Sequence, residues 1–419
     1  MKPDLALPDP FPSETAAPRR WLSIVGIGED GVDGLSPIAR GMISAAEIVF
    51  GGKRHLALAT SLIRGATRPW PSPFDRTVEE VLAYRGRQVC VLASGDPYLY
   101  GVGSLLARHV DAVETVVVPA PSAFSLATAR LGWPLPEVAQ VSLHGRAIDR
   151  IRPHLQPGAK VLALTSDAEG PAALAQLLTA TGFGDSRLII LEALGGPRER
   201  MRSAPAAAFD VAGVDPLNVV AIEVTAGENA RVLGRAPGLA DDLYEHDGQL
   251  TKREIRALTL SALAPRRHEL LCDIGAGAGS VAIEWMLADP SLSAIAIEAR
   301  ADRAARIRRN AAAFGVPQLE VIEGTAPGAL HGLRQPDAVF IGGGASDAGV
   351  IDTAVAALRP GGRLVVNAVT LESEALLLAR HASLGGSLAR VAISRAEPVG
   401  GMTGWRPTLP VTQWAWTKQ

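Results

Sequence analysis

The stretch LLCDIGAGAGSVAIEW, residues 270 to 285, restricts the fold of this chain more than any other. An apolar run reaches Asp273, then Gly275, Gly277 and Gly279 alternate with single residues, and apolar positions resume at helical spacing. An ordinary strand-to-helix turn needs at most one position without a side chain. Alternating glycines after a strand imply a backbone that something must approach closely, beside the unpaired N–H groups of a helix start. IVGIGEDGVDG, residues 24 to 34, imposes a second such turn.

Two or three domains are expected, because 419 residues exceed what one core serves. Hydrophobic residues at 47% and charged residues at 20% describe a globular chain, and a net charge of −2 gives no general attraction to nucleic acid or anionic membrane. Cys90 and Cys272 lie in apolar, strand-like runs without a Cys-x-x-Cys pair or a nearby His cluster. They read as reduced thiols of a cytoplasmic protein, with no metal site. Residues 1–20 are polar and proline-rich, without the apolar core of a secretion signal, and read as a flexible tail. No apolar run later in the chain has membrane-spanning length. Lysine occurs only at Lys2, Lys53, Lys160, Lys252 and Lys418, so nearly all cations are arginines. Arginine forks suit carboxylate ligands, and a biased composition gives the same count; composition leaves both open.

From Trp21 onward strands alternate with helices, the pattern of an α/β chain with parallel sheets. WLSIVGIG precedes a helical run SPIARGMISAAEIVFG; RQVCVLASGDPYLYGVGSLLARHV and VETVVVPAPSAFSLATARLGW repeat the unit. AKVLALTS, a helix over about 171–181, SRLIILEAL and LNVVAIEV follow. Periodicity stops over 234–250, where Gly, Pro and acids accumulate, and a boundary is expected close to Pro237. TKREIRALTLSALAP then reads as a helix capped by Thr251 with Glu254 completing a capping box. ELLCDIG, SAIAIEA, LEVIEG, PDAVFIGG and GGRLVVNAV are strands with helices between them, and the two extended runs at the C-terminus predict an antiparallel hairpin closing the sheet.

The dinucleotide fingerprint fails at the 270–285 turn, since Ser280 stands where its last glycine belongs, and no Gly-Lys-Ser/Thr ending supports a triphosphate loop. The Asp-x-Gly-x-Gly-x-Gly pattern instead resembles motif I of the Rossmann-like S-adenosylmethionine-dependent methyltransferases. That resemblance implies that Gly275, Ala276, Gly277, Ala278 and Gly279 approach the methionine and sugar, with Asp273 acting near the amino group. It places Glu298 on the ribose hydroxyls, and Thr325 and Ala326, in EGTAP, beside the adenine.

In the first half, ASGDPYLYG at 93–101 resembles the Gly-Asp-Pro-x-x-(Phe/Tyr)-Gly element of the tetrapyrrole methylases, whose cofactor lies in a cleft between two α/β subdomains. PAPSAFSLATARLGWP, VSLHGR and EALGGPRERM extend the resemblance to the precorrin-methylating branch. It implies cofactor contacts from Gly26, Gly28, Gly95, Asp96, Pro97, Tyr100 and Ser122. Two departures stand out: Glu29 and Asp30 replace a common Pro-Gly, and Ala120-Pro121 replaces a commoner turn. The two types in this order resemble a fused family of cobalamin biosynthesis, over residues 21 to 419. PGLADDLYEHDGQLTKREIRAL and DAVFIGGG fit its decarboxylating half, in which Thr251 matches a cofactor-contacting threonine. The expected organisation is a tetrapyrrole-methylase domain over 21–237, with subdomains of about 21–118 and 119–237, and a Rossmann-like methyltransferase domain over 238–419.

The resemblance implies S-adenosylmethionine bound once in each domain, and methylation of precorrin-6B at carbons 5 and 15 with loss of the ring C acetate carboxyl, giving precorrin-8. It implies a small-molecule tetrapyrrole partner, no dedicated metal, no nucleic acid, no membrane, and a homo-oligomer. Arg54, His55, His144 and Arg146, with Lys252, Arg253, Arg256 and Arg395, are candidates for the substrate's carboxylates. No general base is identified. Other readings stay open. A cobalt-containing macrocycle in the anaerobic route is one; methylation of another substrate leaves SGDPYLYG idle; a sensing module would bind the cofactor without forming S-adenosylhomocysteine.

Overall fold

The computed structural model describes residues 20–72 and 74–419. The expected tail falls on residues outside that description, Arg20 excepted. The chain divides into two compact units. One holds the residues up to His144 with Ala159–Thr179 and Gly184–Val224; the other holds Gly145–Gly158, Ala180–Phe183 and Thr225–Gln419.

In the first unit β1 (Leu22–Ile27), β2 (Ile48–Gly51), β3 (Ala66–Pro69), β4 (Val89–Ser94) and β5 (Thr115–Val118) form one sheet. Its order is β3-β2-β4-β1-β5, all pairings are parallel, and β1 lies between the strands that follow it. Alternation along β4 sends Val89 and Val91 to one buried cluster and Cys90 and Leu92 to the other, as a sheet covered on both faces requires. The run 36–51 does not stay helical. The helix Pro37–Ala45 ends, and buried Ile48, Val49 and Phe50 form β2, where β-branched and aromatic side chains fit a sheet better than a helix.

The second sheet of this unit departs from the parallel expectation. It contains β6 (Val138–Ser142), β7 (Lys160–Leu164), β8 (Arg187–Glu192), β9 (Arg200–Pro205) and β10 (Asn218–Glu223) in the order β6-β7-β10-β8-β9. Only β6 and β7 pair in parallel; β10 is antiparallel to β7 and β8, and β9 to β8. No helix separates β8 from β9, and a short connection returns a strand antiparallel to its neighbour.

The second unit carries β11 (Leu270–Ile274), β12 (Ser293–Glu298), β13 (Glu320–Glu323), β14 (Ala338–Ile341), β15 (Arg363–Ala368), β16 (Ser387–Val391), β17 (Ser394–Val399), β18 (Met402–Pro407) and β19 (Val411–Thr417). The main sheet runs β13-β12-β11-β14-β15-β19-β16, and its order reverses at β11. Leu271 faces one core cluster and Leu270, Cys272 and Ile274 the other. The C-terminal end is more elaborate than one hairpin. β19 does close the sheet antiparallel to β15 and β16, but β17 and β18 form a separate two-stranded ribbon between β16 and β19. The helix Arg253–Leu263 takes Lys252, not Thr251, as its N-cap, without a side-chain cap bond.

Trp414 is fully buried in β19 and donates from Nε1 to the Gly385 carbonyl at 2.9 Å. Trp414→Ala is expected to cost about 3–5 kcal/mol. Trp414→Phe, keeping most of the volume and losing the donor, should cost about 1 kcal/mol or somewhat more. Urea unfolding of both variants checks the ranking, and equal losses would refute it.

Candidate cofactor and substrate sites

The ends of β1, β4 and β5 converge so tightly that side chains have no room. A Cβ on Gly26 would collide with the Gly95 carbonyl and lie 2.6 Å from the Ala120 nitrogen. Gly95 has φ +55° and would place a Cβ 2.8 Å from the Pro121 carbonyl. The Gly95 N–H donates to Ile27 and its carbonyl accepts from Ala120, locking the three loops together. Asp96 accepts the Tyr98 N–H at 2.8 Å, and the Pro97 carbonyl accepts the Gly103 N–H at 3.0 Å. These bonds turn the chain into Tyr100, whose φ of +56° is strained for a residue with a Cβ. Ser122 is buried as the N-cap of the helix Ala123–Leu131, accepting the Ser125 N–H at 3.0 Å. A Cβ on Gly28 would meet the Asp30 carboxylate at 2.6 Å. All the first-half residues expected at the cofactor therefore sit on or beside one carboxyl edge, where β1 meets strands on both sides and ligands of α/β sheets bind.

Next to this edge, Arg54 and His55 are committed to other groups. Arg54 pairs with Glu29 and donates to Ser94 Oγ at 2.9 Å. His55 Nε2 lies 2.9 Å from an Arg54 nitrogen and 2.8 Å from Ser94 Oγ. A guanidinium only donates, so Nε2 carries the lone pair and Nδ1 the proton. Burial, reinforced by the Arg54 charge, pushes the imidazole down to about 4. At neutral pH His55 is therefore uncharged, contrary to the role of a carboxylate counter-ion expected of it. Glu29 also meets Arg198 at 3.5 Å. His144 stands outside this cluster with Nδ1 3.3 Å from the Thr165 carbonyl, and Arg146 is exposed in the turn that follows.

The second unit contains a cavity of about 670 Å³ at the carboxyl edge of β11. Thr251, Gly275, Ala276, Gly277, Glu298, Thr325 and Ala326, all expected at a cofactor, line it. Gly275, at φ +67°, has no room for a Cβ against Gly343, nor has Gly277, at φ +59°, against the Gln249 carbonyl. Glu298 accepts the Gly277 N–H at 2.9 Å and the Arg300 N–H at 3.1 Å, so its carboxylate is fixed at the end of β12.

Three residues expected at the cofactor lie behind the lining. Ala278 and Asp273 are both 1% exposed, and Gly279, at φ +78°, is held against Ile307. Asp273 accepts the Ala282 N–H at 3.2 Å through one oxygen, and its other oxygen has no partner. Burial raises its carboxyl to about 7. Its position supports the glycine loop from beneath, outside the cavity's lining.

The arginines divide similarly. Arg256 is fully buried, donating to Glu284 at 2.6 Å, Asp241 at 3.1 Å and the Thr251 carbonyl at 2.6 Å. It cannot meet a substrate carboxylate without abandoning those partners. Arg253 donates to the Gly238 carbonyl at 3.0 Å and is not part of the lining. Lys252 and Arg395 do line the cavity.

Sequence reasoning overlooked Asn310, and it quoted Gly342–Gly344 within DAVFIGGG without placing them at the site, although all three line the cavity. Asn310, 2% exposed, accepts the Glu245 N–H at 2.9 Å and donates to the Glu245 and Ala278 carbonyls at 3.0 and 2.9 Å. It ties the segment over the cavity to the glycine loop. Its signal was an amide within the apolar stripe Ile307, Ala311, Phe314 of one helix.

Known proteins match in the same two parts. The family described as tetrapyrrole (corrin/porphyrin) methylases matches residues 22–210, and the precorrin methyltransferase domain matches 242–418. A Sinorhizobium sp protein named precorrin-6Y C(5,15)-methyltransferase (decarboxylating) is 60% identical over 97% of this chain and 98% of its own. From Salmonella typhimurium, cobalt-precorrin-6B C(15)-methyltransferase (decarboxylating) is 36% identical over 39% of this chain and 85% of its own. Cobalt-precorrin-7 C(5)-methyltransferase from the same organism is 30% identical over 45% of this chain and 92% of its own.

Because folding raises the Asp273 pKa above the unfolded value, its favourable term is complete below about pH 4 and fades as pH climbs towards 7. Stability should fall across that window by an amount on the order of a few kcal/mol from this group. Asp273→Asn should flatten that part of the profile, as read by denaturant unfolding at a series of pH values. A profile unchanged by the substitution would show that Asp273 does not titrate there. Gly277→Ala should abolish ligand binding in the second unit, because its Cβ would press on the Gln249 carbonyl at 2.9 Å. Calorimetric titration with S-adenosylhomocysteine should show weaker binding in the variant than in the unchanged chain, and equal binding would refute the prediction.

Proposed function

The chain belongs to the precorrin-6Y C(5,15)-methyltransferase (decarboxylating) family, and on that premise we propose that its substrate is metal-free precorrin-6B and its product precorrin-8. In this reading the first unit methylates carbon 5, the second methylates carbon 15 and releases the ring C acetate carboxyl, and each unit binds S-adenosylmethionine. The reaction belongs to cobalamin biosynthesis in the cytoplasm.

The observation that carries the reading is one chain with a glycine-lined carboxyl edge on the parallel strands of each of two sheets, matched almost end to end by a relative named for both positions. The two Salmonella relatives, each named for a single position, support the division of labour.

S-adenosylmethionine supplies an electrophilic methyl group on a sulfonium when bound. The residues present fit it: positive-φ glycines leave backbone accessible, and Glu298 stands at the end of β12 where ribose hydroxyls would be met. What the chain contributes is chiefly position and dryness. The cavity walls hold a meso carbon in line and keep water from the reacting centre.

The test uses the full chain with methyl-labelled S-adenosylmethionine and, in separate arms, reduced metal-free precorrin-6 or its cobalt counterpart. Gain of two methyl groups with loss of carbon dioxide in the metal-free arm is expected. Asp96→Ala, which removes the acceptor that shapes the 95–101 loop, should leave decarboxylation with a single methyl transfer. Turnover in the cobalt arm alone would overturn the substrate assignment, and loss of decarboxylation in Asp96→Ala would overturn the division of labour.

A further inference from the structure

The cations around the second unit's cavity are not equivalent. Arg303 pairs with Asp247 at 2.9 Å and Arg395 with Glu254 at 2.5 Å. Lys252, exposed at the cavity's edge, has no ion pair among the described residues. Its base is nevertheless fixed. The Lys252 carbonyl accepts the Arg256 N–H at 2.8 Å, and the preceding Thr251 carbonyl accepts Arg256 Nη1 at 2.6 Å. Arg256 is itself immobilised on Glu284. A flexible four-carbon stem with a free ammonium thus rises from a rigid point. Much of the opposite character comes from Ile255, Ile274, Ile297, Val350, Val369 and Val411, which give the cavity an apolar lining.

A polycarboxylate that is decarboxylated presents two kinds of carboxylate to such a site. On the one that leaves, the bond to the adjoining carbon breaks, its electron pair passes into the macrocycle, carbon dioxide departs, and the acetate carbon later takes a proton from water. Negative charge on that group disappears as the reaction proceeds. A cation paired with it would stabilise the ground state more than the transition state and slow the step. The remaining carboxylates keep their charge, so a cation on one of them contributes equally to both states and changes KM alone.

We propose that Lys252 is a specificity-determining residue that anchors a carboxylate retained by the product, which directs the leaving carboxylate to the apolar lining. The proposal rests on the decarboxylating function assigned above to the second unit.

Steady-state kinetics of the full chain, with the reduced precorrin-6 substrate that it turns over, test it. Lys252→Gln should raise KM for the macrocycle about tenfold, the loss of one partly exposed charge pair of about 1.4 kcal/mol. The KM for S-adenosylmethionine, kcat and the ratio of carbon dioxide released to methyl transferred should hold. Lys252→Arg should recover most of the macrocycle KM. An unchanged macrocycle KM in Lys252→Gln overturns the proposal. So does a changed kcat or product ratio, which would put the ammonium on the leaving carboxylate. Absence of turnover by the wild-type chain on both metal-free and cobalt substrates would overturn the functional reading, and the proposal with it.

Discussion

The second unit depends on a carboxylate that water barely reaches. Glu284 is 3% exposed on its side chain, and it accepts from the Gly238 and Leu239 N–H groups, the Tyr244 hydroxyl and Arg256 Nε. Such a pair contributes little net stability compared with apolar packing, yet removing one partner strands the other charge at a cost of about 3–5 kcal/mol. Its value here is geometric. Tyr244 stacks on Phe314 with ring centroids 4.3 Å apart, and Arg256 lies 4.8 Å above the Tyr244 ring. Burial and the Glu284 charge push the phenol far up, so it remains a neutral donor. The segment from Gly238 to Thr251 is thereby fastened at both ends of the cluster, and its last residues form one wall of the cavity.

That wall changes the meaning of the glycines. A glycine-rich turn suggests a ligand brought close to the backbone, but in both units the space a Cβ would occupy is already taken by another backbone. Gly277 faces Gln249, Gly275 faces Gly343, and Gly26 faces Gly95 and Ala120. The glycines first permit loops to pack on one another at a sheet edge. A surface of exposed peptide groups is the consequence, and that surface suits a ligand.

What could be read from the sequence was whatever is local. Strands β1, β4 and β5 and β11 to β15, the glycine turns and the carboxylate ending β12 follow from periodicity and from residues adjacent in the chain, whereas β2 was hidden inside a helical run and β3 was not anticipated. Long-range pairings were hidden. Arg256 looked like a cation on a helix surface because nothing nearby in the sequence announces Glu284, 28 positions away. Arg54 looked available because Glu29 lies 25 residues before it. The ribbon of β17 and β18 was hidden in one extended run because strand propensity does not say which neighbour a strand pairs with. Thr251 had the composition of an N-cap, but its carbonyl is claimed by Arg256 and the cap passes to Lys252.

Asp273 shows how such demands are reconciled within a few residues. The helix Ser280–Ala288 begins at Gly279, whose left-handed φ excludes the Ser, Thr or Asp that would ordinarily receive a first-turn N–H. The unpaired N–H of Ala282 must still find an acceptor in a buried place. Asp273, at the end of β11, supplies it from the other side of the turn. A glycine at the cap and an acid six residues earlier are therefore one device: the first lets the loop bend, and the second repairs the hydrogen bond that bending leaves open. The cost is a carboxyl with one oxygen unpaired and its proton held to about pH 7. An amide could accept the same N–H, but it would bury two donors there, whereas the protonated acid buries one.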